Sequence, residues 1–421
     1  MSARRRILLV TDAYAPMIGG ADRSVEAIAH GLHARGHTVA VATAWQDGVP
    51  VREVRGGIEV HRLRDLTSRA PWLSEDPYKH VPPPFPDPEG VLRFRRLVER
   101  FRPDLVQSYG WLTYSCAAAL AGTGVPLVLS LRDYGNFCAL RTFLYMDREP
   151  CSGAAPLKCL RCSANHYGPV KGAVAAAGVL GSRGLIARPA RGVQSNSDYM
   201  RGVAWRELLG GRVRFAPGSD VDAVVPPFHG DLPEGPPDPE VLDRLPASYI
   251  LFVGAFRRIK GVHVLLEAYA RLEDPPPLVM IGTPEVDTPR FPPGVVVLGS
   301  VPHPTVMAAW DRALFGVFPS VLPEPYGTVV HEAMTRGRAV IGTAPGGHRE
   351  MIADGESGLI VPSGDADALE AAMRRLIGDP ELCRRLGAAA ARRAARFTTE
   401  HWVERLEELF EAALADARAA A

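Results

Sequence analysis

The sequence predicts an α/β protein made of two Rossmann-like domains, each built on a doubly wound parallel sheet. A chain of 421 residues is too long for one ordinary hydrophobic core and suits two domains of about 200 residues each. Short apolar strands alternate with helical segments in both halves, which is the pattern of parallel βαβ units. A Pro-rich stretch, Pro226–Pro239, lies near the middle of the chain and is the best candidate for an interdomain linker.

Composition and charge narrow the class of protein. The 48 Lys and Arg residues nearly balance the 47 Asp and Glu residues, and the net charge of +1 argues against a nucleic-acid partner bound through overall charge. No apolar run reaches the roughly 18 residues that span a bilayer, and the apolar start is too short for a secretory signal. These features predict a cytoplasmic protein and leave peripheral membrane contact open.

The N-terminal half, residues 1–230, predicts the first domain. Its expected strands are Ile7–Val10, Thr38–Thr43, Gly57–Leu63, Leu105–Gln107 and Leu127–Leu131, and its expected helices are Ser24–Arg35 and Val91–Arg102. The second helix is basic and has two interpretations. In the first, its arginines meet anionic lipid at a membrane surface. In the second, Phe94, Val98 and Phe101 are buried against the sheet and the basic face is solvated. We favour burial.

The strand and helix pattern restarts after the linker, so residues 240–398 predict a second domain. Its expected strands are Tyr249–Gly254, Leu278–Ile281, Val295–Leu298, Leu314–Pro319, Ala339–Thr343 and Leu359–Val361, with a helix at Val262–Arg271. Residues 399–421 follow as a C-terminal helix with an apolar face, and we expect this helix to pack back toward the N-terminal domain.

The most informative segment follows the strand that ends at Pro319. Glu324 lies on the expected loop, and Glu332 lies eight residues later in the early turns of a helix. Between them, the amides of Gly327, Thr328 and Val329 begin that helix, and helix-start amides suit a diphosphate. A carboxylate on the helix suits ribose hydroxyls. The alternative is a pair of solvated glutamates beside an ordinary helix start.

The surroundings of these carboxylates resemble the family-4 retaining glycosyltransferases, whose signature is a Glu, seven residues and a second Glu. The resemblance implies the GT-B fold, in which two Rossmann-like domains face a cleft. It also implies that the first domain lies on the acceptor side, that the second lies on the donor side, and that a nucleotide diphosphate sugar is the co-substrate. It implies that Glu324 contacts the transferred sugar, that Glu332 contacts the ribose, and that the Gly327–Val329 amides hold sugar and phosphate oxygens. The segment Gly346–Glu350 is similar to the family's G-G-x-x-E turn beside the nucleotide.

A second phosphate-facing loop begins at Gly254 and reads GAFRRIKG. In the family this turn usually reads G-R-L-x-x-x-K-G, and its Arg and Lys neutralise the phosphates. Lys260 matches the Lys, whereas Ala255 stands where Arg is expected. Arg258 or its neighbour Arg257 is our candidate for the missing charge. The alternative is a pair of solvated surface arginines.

The N-terminal half resembles the family more loosely. Gly19 and Gly20 match its Gly-Gly loop, where backbone approaches donor phosphates and acceptor. Ser108 and Arg132 occupy positions where relatives commonly show His, while Asp133 agrees with the pattern. Because the second of those His residues touches the donor sugar in many relatives, Arg132 leaves the sugar identity open. Its side chain either binds a carboxylate or phosphate of the donor or acceptor, or forms a structural ion pair. Both interpretations stay open.

Four cysteines, Cys138, Cys151, Cys159 and Cys162, lie close together in a loop-like insertion, residues 136–168. In a cytoplasmic protein this grouping favours a metal site over disulfides. We expect a structural zinc, because four thiolates form closed tetrahedral zinc sites. An iron–sulfur cluster and four unliganded thiols are the alternatives.

These features predict transfer of a sugar from a nucleotide diphosphate sugar to a small-molecule or glycan acceptor. Retention of configuration comes from the resemblance, and metal-independent transfer follows because no Asp-x-Asp string lies near the expected phosphate loops. The alternative is a catalytically silent nucleotide-sugar-binding partner protein on the same fold. A Rossmann dehydrogenase fits poorly, because the first strand leads into DAYAPMIGG and not a G-x-G-x-x-G turn.

Overall fold

A computed structural model of the protein describes residues 3–16, 20–69, 80–226, 235–285 and 287–420. The chain forms two compact units. The first unit comprises Met1–Met146, Cys151–His229 and Thr399–Ala421, and the second comprises Asp147–Pro150 and Gly230–Thr398. Most of the linker predicted at Pro226–Pro239 lies outside the described residues. Helix formation resumes at Pro239, where Asp238 accepts from the amides of Glu240 and Val241.

The first unit is built on an eight-stranded sheet in the order β10-β9-β6-β5-β1-β2-β4-β3, and only the β3–β4 pair is antiparallel. Its strands are β1 (Arg6–Thr11), β2 (Thr38–Ala44), β3 (Arg52–Arg55), β4 (Ile58–Leu63), β5 (Leu105–Ser108), β6 (Leu127–Leu131), β9 (Ala190–Ser195) and β10 (Asp222–Val224). Two short strands, β7 (Leu144–Tyr145) and β8 (Glu149–Pro150), occur between β6 and β9. The parallel order confirms the predicted fold class for this half.

Helices flank the strands of the first unit along the chain. They are α1 (Gly20–Ala34), α2 (Leu66–Arg69), α3 (Pro88–Phe101), α4 (Leu112–Leu120), α5 (Pro156–Tyr167), α6 (Pro169–Ala187), α7 (Asp198–Ala204) with a π-helical turn at Trp205–Leu209, and α15 (Thr399–Ala419). In α3, Phe94, Val98 and Phe101 are buried, which confirms the burial that we favoured for this basic helix. The insertion at residues 136–168 was expected to be loop-like. This expectation is wrong for its second part, which forms α5.

The second unit contains a six-stranded sheet in the order β13-β12-β11-β14-β15-β16, with every pair parallel. The strands are β11 (Tyr249–Val253), β12 (Leu278–Ile281), β13 (Val295–Leu298), β14 (Ala313–Val317), β15 (Ala339–Ala344) and β16 (Leu359–Pro362). The helices are α8 (Pro239–Asp243), α9 (Val262–Ala270), α10 (His303–Trp310), α11 (Thr328–Thr335), α12 (His348–Met351), α13 (Ala366–Gly378) and α14 (Pro380–Ala394). Two buried clusters cover the sheet, one around Phe252 and Phe315 and one around Trp310.

The C-terminal helix α15 packs within the first unit and buries Trp402, Leu406 and Phe410. Glu407 fixes its position, because its carboxylate lies 2.7 Å from His37 Nε2 and 2.8 Å from the Arg35 guanidinium. The return of the last helix to the N-terminal half is therefore held by apolar burial and by the contacts of buried Glu407 with His37 and Arg35.

The contact between α1 and α15 requires glycine at position 31. A Cβ added there would lie 2.5 Å from Val403 Cγ2, whereas one added at Gly181 in α6 would meet no heavy atom within 4 Å. We expect Gly31→Leu to destabilise the protein by about 1–3 kcal/mol through overpacking. Gly181→Leu is the matched control, and it should be neutral or stabilising because leucine favours helix. Thermal unfolding of both variants measures this, and equal melting temperatures would contradict the packing of α15 on α1.

Candidate functional site

The sheet order of the second unit places a topological switch point between β11 and β14. The chain leaves β11 toward β12 on one side, and β14 lies on the other side. Ligands of doubly wound sheets bind beyond the carboxyl ends of the strands at such a point. The loop after β11 (residues 254–261) and the loop after β14 (residues 318–327) both begin there. They are joined because the amides of Val321 and Leu322 each donate to the Ile259 carbonyl over 3.0 Å.

The two loops approach each other at Gly261. This residue has φ 73°, and a Cβ added to it would lie 1.8 Å from the Pro319 carbonyl oxygen. A side chain at position 261 would therefore separate the loops. The approach brings Lys260 beside Glu324.

Lys260 and Glu324 form a hydrogen-bonded ion pair. Lys260 Nζ donates to Glu324 Oε1 over 2.7 Å, and Ser320 Oγ donates to the same oxygen over 2.6 Å. Burial of the Glu324 carboxyl opposes its ionisation, but the charge of Lys260 and these two hydrogen bonds outweigh burial and lower its pKa. Glu324 is therefore a carboxylate at neutral pH, and in this state it only accepts hydrogen bonds.

The helix start next to this pair is α11. Gly327 precedes it with φ 103°, and Thr328 and Val329 are its first residues. Glycine offers no capping side chain, and the first amides of any helix lack intrahelical partners, so this end suits an anion. Glu332 lies farther along α11, and its Oε1 is 3.0 Å from His303 Nε2. The structure thus places both predicted glutamates and the predicted amides along one loop and helix.

The predicted Gly-Gly turn supports the loop that carries Glu324. The amide of Gly347 donates to the Glu324 carbonyl over 2.7 Å. A Cβ added to Gly346 would lie 2.8 Å from the Glu324 nitrogen, and one added to Gly347 would lie 2.7 Å from the Pro325 carbonyl oxygen. Both glycines therefore allow close backbone packing behind the acidic residue.

Two residues of this site escaped the sequence analysis, Ser320 and His348. His348 is buried, and its Nδ1 accepts from the Thr343 amide over 3.2 Å. Its Nε2 would lie 2.7 Å from a Cβ added at Gly327. Burial, reinforced by the charge of Lys260, lowers the pKa of His348 to about 4, so its imidazole is neutral at pH 7. No periodic pattern signals either residue, because both act through loop contacts.

Two further predicted site residues, Arg258 and Gly254, donate hydrogen bonds from their backbone amides. The Arg258 amide donates to Asp287 Oδ2 over 2.9 Å, and its side chain is exposed. Within the described residues no hydrogen bond or ion pair joins Arg258 to Glu324, so its assignment stays a prediction. Gly254 follows β11 with φ 152°, and its amide donates to the Ile281 carbonyl over 2.9 Å.

The corresponding edge of the first unit carries a separate polar cluster. Asp12 follows β1 and accepts from the amides of Trp111 and Leu112 over 2.9 and 2.8 Å and from Arg141 over 2.8 Å. Arg132 directly follows β6 and is buried. Its Nε donates to Ser130 Oγ over 2.9 Å. Its guanidinium lies 5.6 Å from the centroid of the Tyr109 ring. Gly19 lies outside the described residues, and Gly20 begins α1.

The structure does not support the zinc predicted at Cys138, Cys151, Cys159 and Cys162. The four residues line one small pocket, but within the described residues no group of three or more His, Cys, Asp or Glu side chains could hold a metal ion. Two of the thiols form hydrogen bonds with nearby backbone groups. Cys162 Sγ accepts from the Met146 amide over 3.2 Å, and Cys151 Sγ donates to the Gly153 carbonyl over 3.5 Å. Burial raises the pKa of the Cys138 thiol to about 11.

Two family descriptions match this chain. The one described as "Glycosyl transferase 4-like domain" matches residues 19–202, and the one described as "Glycosyl transferases group 1" matches residues 242–393. The second match contains the Lys260–Glu324 pair and the start of α11. Together the matches cover most of both units.

The following relative and solved structures align with nearly the whole chain, and the solved structures show similarity of fold. A D-inositol 3-phosphate glycosyltransferase of Thermomonospora curvata is 26% identical and aligns over 93% of this chain and 90% of its own. The structure of sucrose-phosphate synthase from Thermosynechococcus elongatus is similar with a TM-score of 0.72, 19% identity, and coverage of 97% and 98%. Anabaena HepE in complex with UDP and glucose gives a TM-score of 0.65, 18% identity, and coverage of 97% and 100%.

Because His348 is buried and neutral, stability should depend on pH through this residue. Its folded pKa of about 4 lies below the ordinary value of 6.5, so between these values the unfolded chain binds the extra proton. The free energy of unfolding should therefore fall as pH drops from 6.5 toward 4, by at most about 3 kcal/mol from this group. His348→Gln should weaken that pH dependence.

The control for this measurement is His401→Gln, at an exposed position on α15. Melting temperatures are compared at pH 7 and pH 4.5 for the three proteins. The control should keep the pH dependence of the wild type. An unchanged dependence in His348→Gln as well would show that His348 is not buried in its neutral form.

Proposed function

Because the chain belongs to the family-4-type glycosyltransferases with the GT-B fold, we propose that it transfers a sugar from a nucleotide diphosphate sugar to an acceptor hydroxyl. The observation that carries the proposal is the Lys260–Glu324 pair at the switch point, next to the uncapped start of α11. A cation and a row of helix-start amides suit a diphosphate. An ionised carboxylate that accepts hydrogen bonds suits the hydroxyl groups of the attached sugar.

In this proposal Lys260 and the α11 amides stabilise the diphosphate that leaves with the nucleoside. Negative charge develops on the bridging phosphate oxygen as the sugar–oxygen bond breaks, and fixed positive groups lower the energy of that state. Lys260 and the amides supply this positive charge, so we propose that transfer proceeds without a catalytic metal. Lys260 is one-third exposed, which allows its ammonium to reach a ligand while it stays paired with Glu324.

Glu324 orients the sugar in this proposal. Both hydrogen bonds that its carboxylate accepts within the described residues go to Oε1, from Lys260 and from Ser320. Oε2 is therefore the oxygen that accepts from a sugar hydroxyl. Glu332 is the candidate ribose contact, and it exchanges its His303 partner for ribose hydroxyls when the nucleotide binds.

We propose retention of configuration on the E-x7-E resemblance of Glu324 and Glu332. The acceptor oxygen then forms its bond to the anomeric carbon on the face that the diphosphate leaves. The acceptor proton passes to the departing phosphate oxygen. The acceptor class is a hydroxyl-bearing small molecule or glycan.

The test is release of nucleoside diphosphate by the purified full chain from UDP-, GDP-, ADP- and dTDP-sugars, alone and with acceptor pools. We expect one donor to be turned over. Lys260→Met and Glu324→Gln should each lower kcat/KM by about 10²–10³-fold, because each removes charge stabilisation or orientation in the transition state. The double variant should lose less than the product of the two single effects, since the residues act as a pair.

Glu356→Gln, at an exposed position in the same unit, is the matched control and should keep wild-type activity. Donor binding without release by the wild type would favour the silent binder, to which the Ala255 departure points. Full activity in Glu324→Gln would contradict the role proposed for the pair.

A further inference from the structure

The segment that forms α5 and α6 has an unusual charge pattern for a protein of near-zero net charge. From Pro150 to Ser197 the sequence contains no Asp or Glu, whereas it contains six Lys or Arg residues. Three of these cations, Lys158, Arg161 and Lys171, lie on α5 and at the start of α6, and Arg188 caps the end of α6. This part of the first unit is therefore locally basic, although the whole chain is balanced.

The same segment exposes an apolar stripe. After Pro169, the exposed positions of α6 are Val170, Val174, Ala177, Gly181 and Leu185, and they precede exposed Arg188. Their spacings of three and four residues place them on one face of the helix. A helix face that meets water usually carries charged and polar side chains. The exposed face of α6 has none between Val170 and Leu185.

Helix α5 adds to this surface. Leu157 is 74% exposed and Leu160 is 40% exposed, while Val170 at the start of α6 is 75% exposed. Only Gly168 separates α5 from α6. The two helices form a hairpin that exposes both aliphatic and basic side chains.

The opposite face of α6 is already used by the fold. Ala175, Val179 and Ile186 are buried, and buried Arg183 donates to the Phe137 carbonyl over 2.7 Å. Among the described helices, α6 is the one long and apolar enough to cross a membrane by length and composition. Because its inner face packs in the first unit, it is suited to lie along a membrane surface and not to cross it.

We propose that the exposed face of the α5–α6 hairpin docks on an anionic lipid bilayer. The exposed aliphatic side chains enter the boundary between headgroups and acyl chains, and the surrounding Lys and Arg side chains meet anionic headgroups. This inference goes beyond the transfer reaction and does not rest on it. It also concerns a different surface from basic helix α3, whose apolar residues are largely buried.

The charge and the apolar character of this face favour a bilayer over a second copy of the chain or a nucleic acid. A second copy on a two-fold axis would bring the same basic segment against itself, and like charges across an interface are unfavourable. Nucleic acid would pair with the cations but would leave the aliphatic stripe in water. An anionic bilayer satisfies both features at once.

The experiment is flotation of the full chain with phosphatidylcholine vesicles and with vesicles that also contain phosphatidylglycerol, at low and high salt. We expect binding to the anionic vesicles that weakens as salt rises. Val170→Glu with Val174→Glu should weaken it at least about tenfold, because the side chains that enter the lipid are lost. Arg161→Ser with Arg188→Ser should weaken it by about tenfold or more.

Leu92→Glu on α3 is the matched control, because Leu92 is 49% exposed and Val174 is 50% exposed. It should bind like the wild type. Absence of wild-type binding, binding that neither hairpin variant changes, or loss in Leu92→Glu would each overturn the proposal. So would a concentration-dependent dimer that the valine variant abolishes without any vesicle binding. If the valine variant loses its melting transition, the arginine variant carries the test.

Discussion

The site in the second unit depends on the close approach of two loops at the β11–β14 switch point. Gly261 allows this approach, because any side chain there would meet the Pro319 carbonyl. The approach sets the distance between Lys260 and Glu324, and the Gly346–Gly347 turn supports the Glu324 backbone from behind. The sheet order therefore supplies the location, and glycine supplies the space in which the charged side chains meet.

The electrostatics of the site follow from that packing. A buried carboxylate is costly unless it is paired and hydrogen-bonded, and Glu324 has both Lys260 and Ser320. His348 lies in the same buried region and is neutral, so it adds volume without a competing positive charge. The start of α11 then contributes the positive end of its dipole. These groups suit a ligand that is anionic at its diphosphate and rich in hydroxyl groups at its sugar.

Prediction from the sequence succeeded where periodicity or a spaced motif carried the signal. Five strands of the first sheet, the six strands of the second sheet, α3 and α15 were of this kind. The zinc prediction was not supported, because sequence spacing does not say whether the thiols lie close enough to share a metal ion, and within the described residues no three of them do. Helices α5 and α6 went unpredicted because small residues blur their periodicity. Ser320 and His348 went unpredicted because their roles arise from contacts between loops.

Amide hydrogen exchange of the full chain, with and without saturating nucleoside diphosphate, tests the central claim most directly. The account predicts slower exchange in two segments, residues 254–261 and residues 320–332, because both loops and the start of α11 close on the diphosphate. The first turn of α11 should show the largest change, since its amides would gain acceptors. Protection that avoids both segments, or no protection at saturation, would contradict a nucleotide site at the β11–β14 switch point.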